Sequence, residues 1–315
     1  MPAIVWVKML TLLLTPAAVV SPASTSVLRG VDLRVGNLRD LSATSLSSGR
    51  AMRPNAVLRS ASPANMTHED VRFMQHEIGL RSVLDLRAQA EGEKDVGARL
   101  LPQAAGVSTQ FLSLFDEQML RSELKSNAQR KPLMFAALVG LKLAKKLSPS
   151  RRLRAAAGRE GDRRLIDMLD AIDLKEVYYW MATQRGDEIR RAFETCADPQ
   201  QVPVLFHCTH GKDRTGVLAA LLLHACGATE AAIVGDYAVS DAWGCSVEGR
   251  WLMQASMPPH VADRVYLDPW CCAPEAAMEG LFERLTREFG SVDGYLDSIG
   301  VDAELRERLV ANLVE

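Results

Sequence analysis

The sequence has no large excess of charge of either sign, no metal-ligand spacing and no long apolar run. Its 37 Lys and Arg residues nearly balance 39 Asp and Glu residues, for a net charge of −2. No overall positive field therefore draws the chain to nucleic acid. Cys-x-x-Cys pairs and zinc-finger spacings are also absent. We expect no nucleic-acid partner, no bound metal and no cofactor.

Acidic residues are missing from the first 31 positions. Lys8 precedes a short apolar stretch, Met9–Leu14, which is too short to span a bilayer. Small residues follow at 21–24, as in a signal peptide. The Ser and Thr content equally suits an organellar transit peptide, and a plain N-terminal extension is the third interpretation. We assign residues 1–29 to a leader or extension and residues 30–315 to a single domain.

The six cysteines are scattered and do not form a disulfide framework. They are Cys196, Cys208, Cys226, Cys245, Cys271 and Cys272. The adjacent pair Cys271–Cys272 suits neither a metal site nor an easy local disulfide. A catalytic thiolate needs reducing surroundings, so such a role for one cysteine favours a cytoplasmic location. Secretory or organellar targeting by the leader stays open beside it.

The most informative segment is residues 207–216, His-Cys-Thr-His-Gly-Lys-Asp-Arg-Thr-Gly. The apolar runs 202–206 and 217–223 on either side predict a buried strand, a tight polar loop and a buried helix. Backbone N–H groups between Cys208 and Arg214 can curl around a dianion, which also faces the positive helix N-terminus. The segment therefore predicts a phosphate held against a thiolate.

The residue types of this loop suit phosphoryl transfer to sulfur. Cys208 is the predicted nucleophile, because the thiolate is the form that attacks. Arg214 can bind two equatorial phosphate oxygens at once. Thr215 can donate its hydroxyl to the Cys208 sulfur, while Gly211 and Gly216 let the backbone approach the ligand closely.

The remaining loop residues are predicted to bind substrate or support the loop. Thr209 and His210 belong to the substrate-binding set, and His207 supports the loop by hydrogen bonding to its carbonyls. Lys212 adds a second cation, which could neutralise a further phosphate on a highly anionic substrate. The alternative is that Lys212 simply faces solvent.

Three other interpretations of the segment are weaker. A nucleotide-binding P-loop requires a glycine where Phe206 stands and Ser or Thr where Asp213 stands. A buried cysteine lying beside a helix cap by chance would not explain the whole ten-residue string. Thiol sulfur transfer also uses a cysteine loop, but Arg214 followed by Thr-Gly fits phosphate better.

The loop resembles that of the atypical cysteine-dependent protein tyrosine phosphatases, whose signature is His-Cys-x-x-Gly-Lys-Asp-Arg-Thr-Gly. Other segments resemble the same family, namely 36–41, 58–61, 83–91, 236–240 and 289–296. The resemblance extends over about 30–116 and 176–312. Two positions depart from the family pattern. Ser42-Ala43 stands where two glycines are usual, and His210 stands where a small residue is common.

The resemblance implies an α/β fold with a central, mostly parallel sheet flanked by helices. It also implies metal-free hydrolysis in two steps through a phosphocysteine. Substrates in this family are phosphotyrosine proteins, and for some members phosphoserine, phosphothreonine or phosphoinositides. A catalytically silent phospho-binding module is the alternative, although such a module would usually have lost a catalytic residue.

Two carboxyl groups are candidates for the general acid that protonates the leaving oxygen. Asp213 lies within the loop and is favoured slightly. Asp85 follows at the end of a predicted strand, 81–86, where α/β active sites gather. A salt bridge with Arg87, or an N-cap for a helix near Ala88, is the structural alternative for Asp85.

A helical insertion is predicted at about 117–175. Its apolar-rich helix, Leu133–Leu147, is followed by a run rich in arginine from Arg151 to Arg164. Such a run could form a lid that meets an anionic membrane, since each basic residue near that surface contributes up to about 1 kcal/mol. A solvated loop between two helices is the alternative.

Overall fold

The computed structural model describes residues 28, 31, 33–92, 100–101, 104, 106–116, 119, 173–256 and 268–315. Apart from Leu28, the predicted leader at 1–29 lies outside these residues. So does most of the predicted insertion at 117–175, including the helix Leu133–Leu147. Both assignments remain predictions.

Among the described residues, five short strands form one mixed sheet in the order β1-β2-β5-β3-β4. They are β1 (Arg39–Asp40), β2 (Val57–Ser60), β3 (Ser82–Asp85), β4 (Ser108–Phe111) and β5 (Val204–His207). Strand β1 is antiparallel to β2, and every other pairing is parallel. The predicted fold class, an α/β protein with a mostly parallel sheet, is confirmed.

Strand β5 lies at the centre of the sheet and positions the loop that follows it. All residues of β2, β3 and β5 are buried, as expected when helices cover both faces. In the strand register, Ser60 of β2 and Asp85 of β3 both flank His207 of β5. Three strands thus end at the same level, and the segments after them converge at the carboxyl edge of the sheet.

Eleven α-helices are assigned among the described residues. They are α1 (His68–His76), α2 (Gln89–Gly92), α3 (Leu174–Gln184), α4 (Gly186–Ala197), α5 (Asp213–Ala225), α6 (Glu230–Gly244), α7 (Val247–Ser256), α8 (Asp268–Cys271), α9 (Glu275–Phe289), α10 (Val292–Ser298) and α11 (Ala303–Leu313). Thr67 with Asp70 three residues later predicts a capping box at the start of α1. The structure confirms it, since the side chains of Thr67 and Asp70 each accept the other's backbone N–H. Short 3-10 turns occur at Leu41–Ala43 and Pro63–Asn65.

The sequence predicts one helix over Tyr178–Ala197 and another over Thr229–Val239. The first prediction is wrong, because the structure divides this stretch into α3 and α4 at Arg185. The chain turns between them so that Gly186 packs against Ile299. A Cβ on Gly186 would lie 2.6 Å from Ile299 Cγ2, so only glycine permits this approach. Helix α6 also continues to Gly244, beyond the predicted end at Val239.

The sheet separates two hydrophobic cores. The side chains of β5 alternate between them: Val204 and Phe206 join the larger cluster with α3, α4, α5 and α9, whereas Leu205 joins the smaller one with α1. Helix α5 is buried continuously from Thr215 to Leu223, which explains its almost uninterrupted apolar sequence. No helix in the described ranges is long and apolar enough to cross a membrane.

Candidate active site

The loop after β5 brings Cys208 and Arg214 together at the carboxyl edge of the sheet. Cys208 is only 2 % exposed, and its Sγ accepts the backbone N–H of Gly211 at 3.2 Å. Gly211 has a φ of 67°, and a Cβ there would overlap the Ser60 carbonyl. Glycine is therefore required for both the backbone conformation and the close contact with β2. The sequence predicted this requirement but attributed it to the ligand side of the loop.

Arg214, in the first turn of α5, binds a carboxylate at the mouth of the site. Its two terminal nitrogens donate to the Glu91 oxygens at 2.7 and 3.2 Å, and one also donates to Thr209 Oγ1 at 3.2 Å. Burial lowers the pKa of Arg214, but the charges of Cys208 and Glu91 outweigh burial and raise that pKa. Burial likewise raises the pKa of Glu91, and Arg214 more than reverses it. The two Glu91 oxygens engage Arg214 as two phosphate oxygens would.

The rear of the loop is held by side chains that bind its carbonyl oxygens. Asn37 Nδ2 donates to the carbonyls of His210 at 3.1 Å and Gly211 at 2.9 Å. Arg59 Nη2 donates to the Gly211 carbonyl as well, at 2.9 Å. Because the C=O and N–H of a peptide unit point in opposite directions, this arrangement turns the loop N–H groups toward the Cys208 side.

Asp236 of α6 completes this support, and with Arg39 and Arg59 it forms what we call the rear anchor. Asp236 accepts Arg39 Nε at 2.8 Å and also accepts Arg59 Nη1. Burial and the nearby charge of Arg39 lower the pKa of Arg59 to about 10. Burial raises the pKa of Asp236, but the two arginines outweigh it and hold that pKa below its usual range.

In the sequence, these residues stand out only as parts of segments that resemble the family, and the sequence predicts no role for them. Arg39 also donates to Asn37 Oδ1 at 2.6 Å and to Ser240 Oγ at 3.0 Å, so the segments around β1 and α6 are joined. A charged residue inside the apolar strand β2, Arg59, was the signal that could have indicated a buried ion network.

Asp213, the favoured general acid, is the first residue of α5 and has two strong partners. Its Oδ1 accepts the Tyr178 hydroxyl at 2.6 Å and lies 3.1 Å from Lys212 Nζ. The Tyr178 hydroxyl also lies 2.7 Å from that of Tyr237. Burial raises the pKa of Asp213, but Lys212 and Tyr178 outweigh it and lower that pKa. The carboxyl group is still 26 % exposed, so it reaches the surface of the site.

Lys212 is buried, at 2 % exposure, so the alternative that it faces solvent is wrong. Its Nζ donates to the Cys272 carbonyl at 2.8 Å in addition to its ion pair with Asp213. The ammonium group thus connects the loop to the segment before α9. Its predicted contact with a second substrate phosphate is not tested by these contacts.

Asp85, the second acid candidate, forms the salt bridge that was its structural alternative. Arg87 donates to both Asp85 oxygens, at 2.9 and 2.8 Å, and the carboxyl group is 6 % exposed. Burial raises the pKa of Asp85, but His207 and Arg87 outweigh it and lower that pKa. His207 Nδ1 lies 3.3 Å from the Cys208 carbonyl, which agrees with its predicted contact to the loop backbone.

The other loop residues are buried with little hydrogen bonding. Thr215 Oγ1 has no partner among the described residues, so the predicted hydrogen bond to Cys208 Sγ is not formed. Burial lowers the pKa of the His210 imidazole to about 4, and its Nε2 has no partner in the same part of the chain. A Cβ on Gly216 would lie 3.0 Å from the Tyr237 ring, so this glycine serves helix packing.

An open cavity of about 960 Å³ lies beside the loop. Thr209 and Asn37 line it, and Trp243 and Trp251 contribute aromatic surface. Trp251 is 65 % exposed in the middle of α7, which leaves a large apolar ring next to the cavity. The arrangement can hold an anion over Cys208 and an aromatic or apolar group beside it.

Comparison with known proteins agrees with this geometry. A profile of the tyrosine phosphatase family matches residues 33–315. A tyrosine-protein phosphatase of Nostoc commune is 32 % identical over 146 residues, which cover 44 % of this chain and 49 % of that protein. A protein of Cupriavidus necator named as a candidate tyrosine-protein phosphatase is 29 % identical over 308 residues, covering 92 % of this chain and 93 % of its own length. With the Cys208 loop inside the matched region, the chain belongs to the tyrosine phosphatase family and is an enzyme of the protein-tyrosine-phosphatase type.

Proposed function

We propose that the protein hydrolyses phosphotyrosine in proteins through a phosphocysteine on Cys208. The single observation that carries the proposal is the organisation of the Cys208 loop. Its sulfur accepts a backbone N–H, its rear carbonyls are bound by Asn37 and Arg59, and Arg214 stands at its mouth. Such a loop offers its N–H groups and one guanidinium to an anion above the sulfur.

In the first step, the substrate phosphate replaces the Glu91 carboxylate on Arg214, and the Cys208 thiolate attacks phosphorus. The S–P bond forms as the bond from phosphorus to the phenolic oxygen breaks. Arg214 and the loop N–H groups stabilise charge on the equatorial oxygens. The leaving oxygen takes a proton from a carboxyl group.

In the second step, water attacks the phosphocysteine and the S–P bond breaks, which regenerates the thiolate and releases inorganic phosphate. The carboxylate left by the first step accepts a proton from this water. The same residue therefore acts first as acid and then as base.

Asp213 is the better candidate for this carboxyl group. Asp85 is buried and both of its oxygens are bound by Arg87, so it has no free oxygen facing a substrate. The Asp213 carboxyl reaches the surface at the start of α5. Because Lys212 and Tyr178 lower its pKa, a protonated Asp213 becomes more abundant as the pH falls. We expect leaving-group protonation, and with it kcat, to be favoured on the acidic side of neutrality.

Phosphotyrosine is favoured over phosphoinositides by the surroundings of the loop. Trp243 and Trp251 line the adjacent cavity and suit an aromatic substrate residue. The Lys212 ammonium, the loop cation that would bind a second phosphate, is bound to Asp213 and the Cys272 carbonyl. The remaining basis for a lipid substrate, the basic run at 151–164, lies outside the described residues.

The test is phosphate release by the purified protein from a phosphotyrosine peptide and from vesicles containing phosphoinositides, compared side by side. Rapid acid quenching of wild-type protein should trap a phosphate on the peptide that contains Cys208. Cys208→Ser should abolish turnover but still bind the phosphotyrosine peptide. Turnover by Cys208→Ser would exclude this nucleophile, preferential release from vesicles would replace the substrate assignment, and binding without turnover by wild type would indicate a silent module.

A further inference from the structure

Two cysteines that are 27 residues apart in sequence lie side by side next to the segment that contacts Lys212. The Sγ atoms of Cys245, after α6, and Cys272, after α8, are 3.0 Å apart. Both residues are partly exposed. Cys196 and Cys226 differ, since they are buried and burial raises the pKa of each thiol to about 12. Cys245 and Cys272 are thus accessible to a soluble reagent as a pair.

The backbone holds these two thiols together on both sides. Gly244 packs so closely on Cys271 that a Cβ would overlap the Cys271 carbonyl oxygen. One residue beyond Cys272, the Ala273 N–H donates to Asp241 Oδ1 at 2.8 Å. The end of α6 and the 271–273 segment are therefore joined before and after the sulfur pair. The thiols are neighbours because of this packing and not through a chance side-chain rotamer.

The same segment contacts the active-site loop. The Cys272 carbonyl accepts Lys212 Nζ at 2.8 Å, and Lys212 is also 3.1 Å from Asp213. A displacement of the Cys272 backbone is therefore transmitted to a loop lysine and, through that lysine, to the proposed acid.

We propose that Cys245 and Cys272 form a redox-active dithiol site that is oxidised to a disulfide by low-molecular-weight disulfides, and that this closure slows catalysis at the Cys208 loop. The effect on catalysis rests on the proposed function, whereas formation of the disulfide does not.

The reaction is two successive thiol–disulfide exchanges. The thiolate of one cysteine attacks a sulfur of glutathione disulfide, which forms a mixed disulfide and releases one glutathione thiolate. The second cysteine thiolate then attacks the protein sulfur of this mixed disulfide, which forms the Cys245–Cys272 bond and releases the second glutathione. Two electrons and two protons leave the cysteines, and two glutathione thiols are produced.

A soft divalent cation is the competing occupant, because Asp241 supplies a carboxylate oxygen within 4.8 Å of both sulfurs. In a tetrahedral zinc site with Zn–S bonds of about 2.3 Å, two thiolate sulfurs stand about 3.8 Å apart. The observed separation of 3.0 Å is shorter. Metal binding would require the two sulfurs to move apart, whereas disulfide formation requires them to move closer together.

The first experiment incubates the full-length protein with glutathione disulfide in the presence of inorganic phosphate, which occupies the Cys208 loop. Peptide mapping under non-reducing conditions should find a Cys245–Cys272 cross-link that dithiothreitol removes. Cys245→Ser and Cys272→Ser should each abolish it, and Cys271→Ser, the adjacent matched control, should retain it. Stable glutathionylation without a cross-link, a cross-link through Cys271, or stoichiometric zinc that protects both thiols would each overturn the proposal.

The second experiment measures catalysis after the same oxidation. We expect kcat/KM of the wild type to fall about 5-fold, at the lower end of typical coupling between sites, and to recover with dithiothreitol. Cys245→Ser, which keeps the Cys272 carbonyl and lies outside the loop, should resist the same treatment. An equal loss in Cys245→Ser would show that the effect does not require the Cys245–Cys272 disulfide, and it would overturn the coupling. If no substrate is turned over at all, the proposed function fails while the cross-link is still measured.

Discussion

The two arginine–carboxylate clusters on either side of the Cys208 loop differ in burial. At the rear anchor, the Arg59 side chain is 0 % exposed and Asp236 is 7 % exposed. At the mouth, Arg214 is 13 % exposed and Glu91 is 42 % exposed. The anchor binds loop carbonyls and joins β1, β2 and α6, whereas the Arg214–Glu91 pair bridges only the loop and α2.

The comparison teaches that burial decides which ion pair can exchange partners. Removing one member of a buried pair leaves an uncompensated charge, so the rear anchor can only be permanent. A pair open to solvent gains little from its contact, and its arginine can bind another anion with small loss. The same chemistry therefore fixes the loop at the rear and leaves Arg214, at its front, able to bind another anion.

Asp236→Asn tests the rear anchor and should have the largest effect on stability. The substitution leaves Arg39 and Arg59 without their shared carboxylate, and we expect a loss of about 3–5 kcal/mol in the free energy of unfolding. Urea unfolding measures this loss. Glu194→Gln removes the partner of the exposed Arg190 and is the control, with a loss of less than about 1 kcal/mol. Equal effects in the two variants would refute the distinction by burial.

Arg214→Lys tests the Arg214–Glu91 pair at the mouth of the site. Lysine keeps the positive charge but cannot bind two oxygens in one plane, so we expect kcat/KM to fall by about 10²–10³. The free energy of unfolding should change by less than about 1 kcal/mol, because the residue is part of the open pair. Steady-state kinetics and urea unfolding of one preparation give both numbers. A stability loss as large as that of Asp236→Asn would place Arg214 among the permanent contacts.

The pH dependence of stability should reveal His210, whose ring is buried beside the rear-held part of the loop. Burial lowers its pKa from 6.5 to about 4. As the pH falls, the unfolded chain therefore protonates this histidine before the folded chain does. The contribution of His210 to the free energy of unfolding is complete above about pH 6.5 and is lost progressively toward pH 4. The loss amounts to about 3 kcal/mol at most. Unfolding measured between pH 7 and 4 should show this component in the wild type and not in His210→Gln; parallel curves would contradict it.

Glu91→Gln should have the smallest effect, and its direction is opposite to that of the other variants. Losing the competing carboxylate charge frees Arg214 for anions, so inorganic phosphate should inhibit about 2- to 5-fold more strongly. Competitive inhibition constants measure the change, and unfolding should be nearly unaltered. Weaker phosphate binding in Glu91→Gln would mean that Glu91 orients Arg214 and does not compete for it.

The central part of the site was predictable because its information is local. A strand, a polar loop and a helix follow one another within 202–223, so the apolar runs and the spacing of Cys208 and Arg214 define the loop directly. The capping box of α1 involves residues three positions apart and was equally predictable from the sequence. The mostly parallel sheet followed from the resemblance, and the structure confirms it.

The support of the loop could not be predicted, because its hydrogen bonds join distant positions. Arg59 and Asp236 are 177 residues apart, and Arg214 and Glu91 are 123 apart. Lys212 was expected at the phosphate rim or in solvent, but its partner is a carbonyl 60 residues later. No local pattern encodes such contacts. Gly186, in contrast, was a readable sign of the break between α3 and α4 that the continuous helix prediction overlooked.

The long sequence separations in the rear anchor also set an order of events during synthesis. Strand β2 and the Cys208 loop emerge from the ribosome before Asp236, which must pair with Arg59 before that arginine can be buried at low cost. Until α6 has been translated, Arg59, which binds the Gly211 carbonyl, lacks its carboxylate partner Asp236, and the anion site is not organised. A nascent chain ending before α6 should therefore carry the nucleophile without being able to use it, so that phosphatase activity appears only after α6 has been translated.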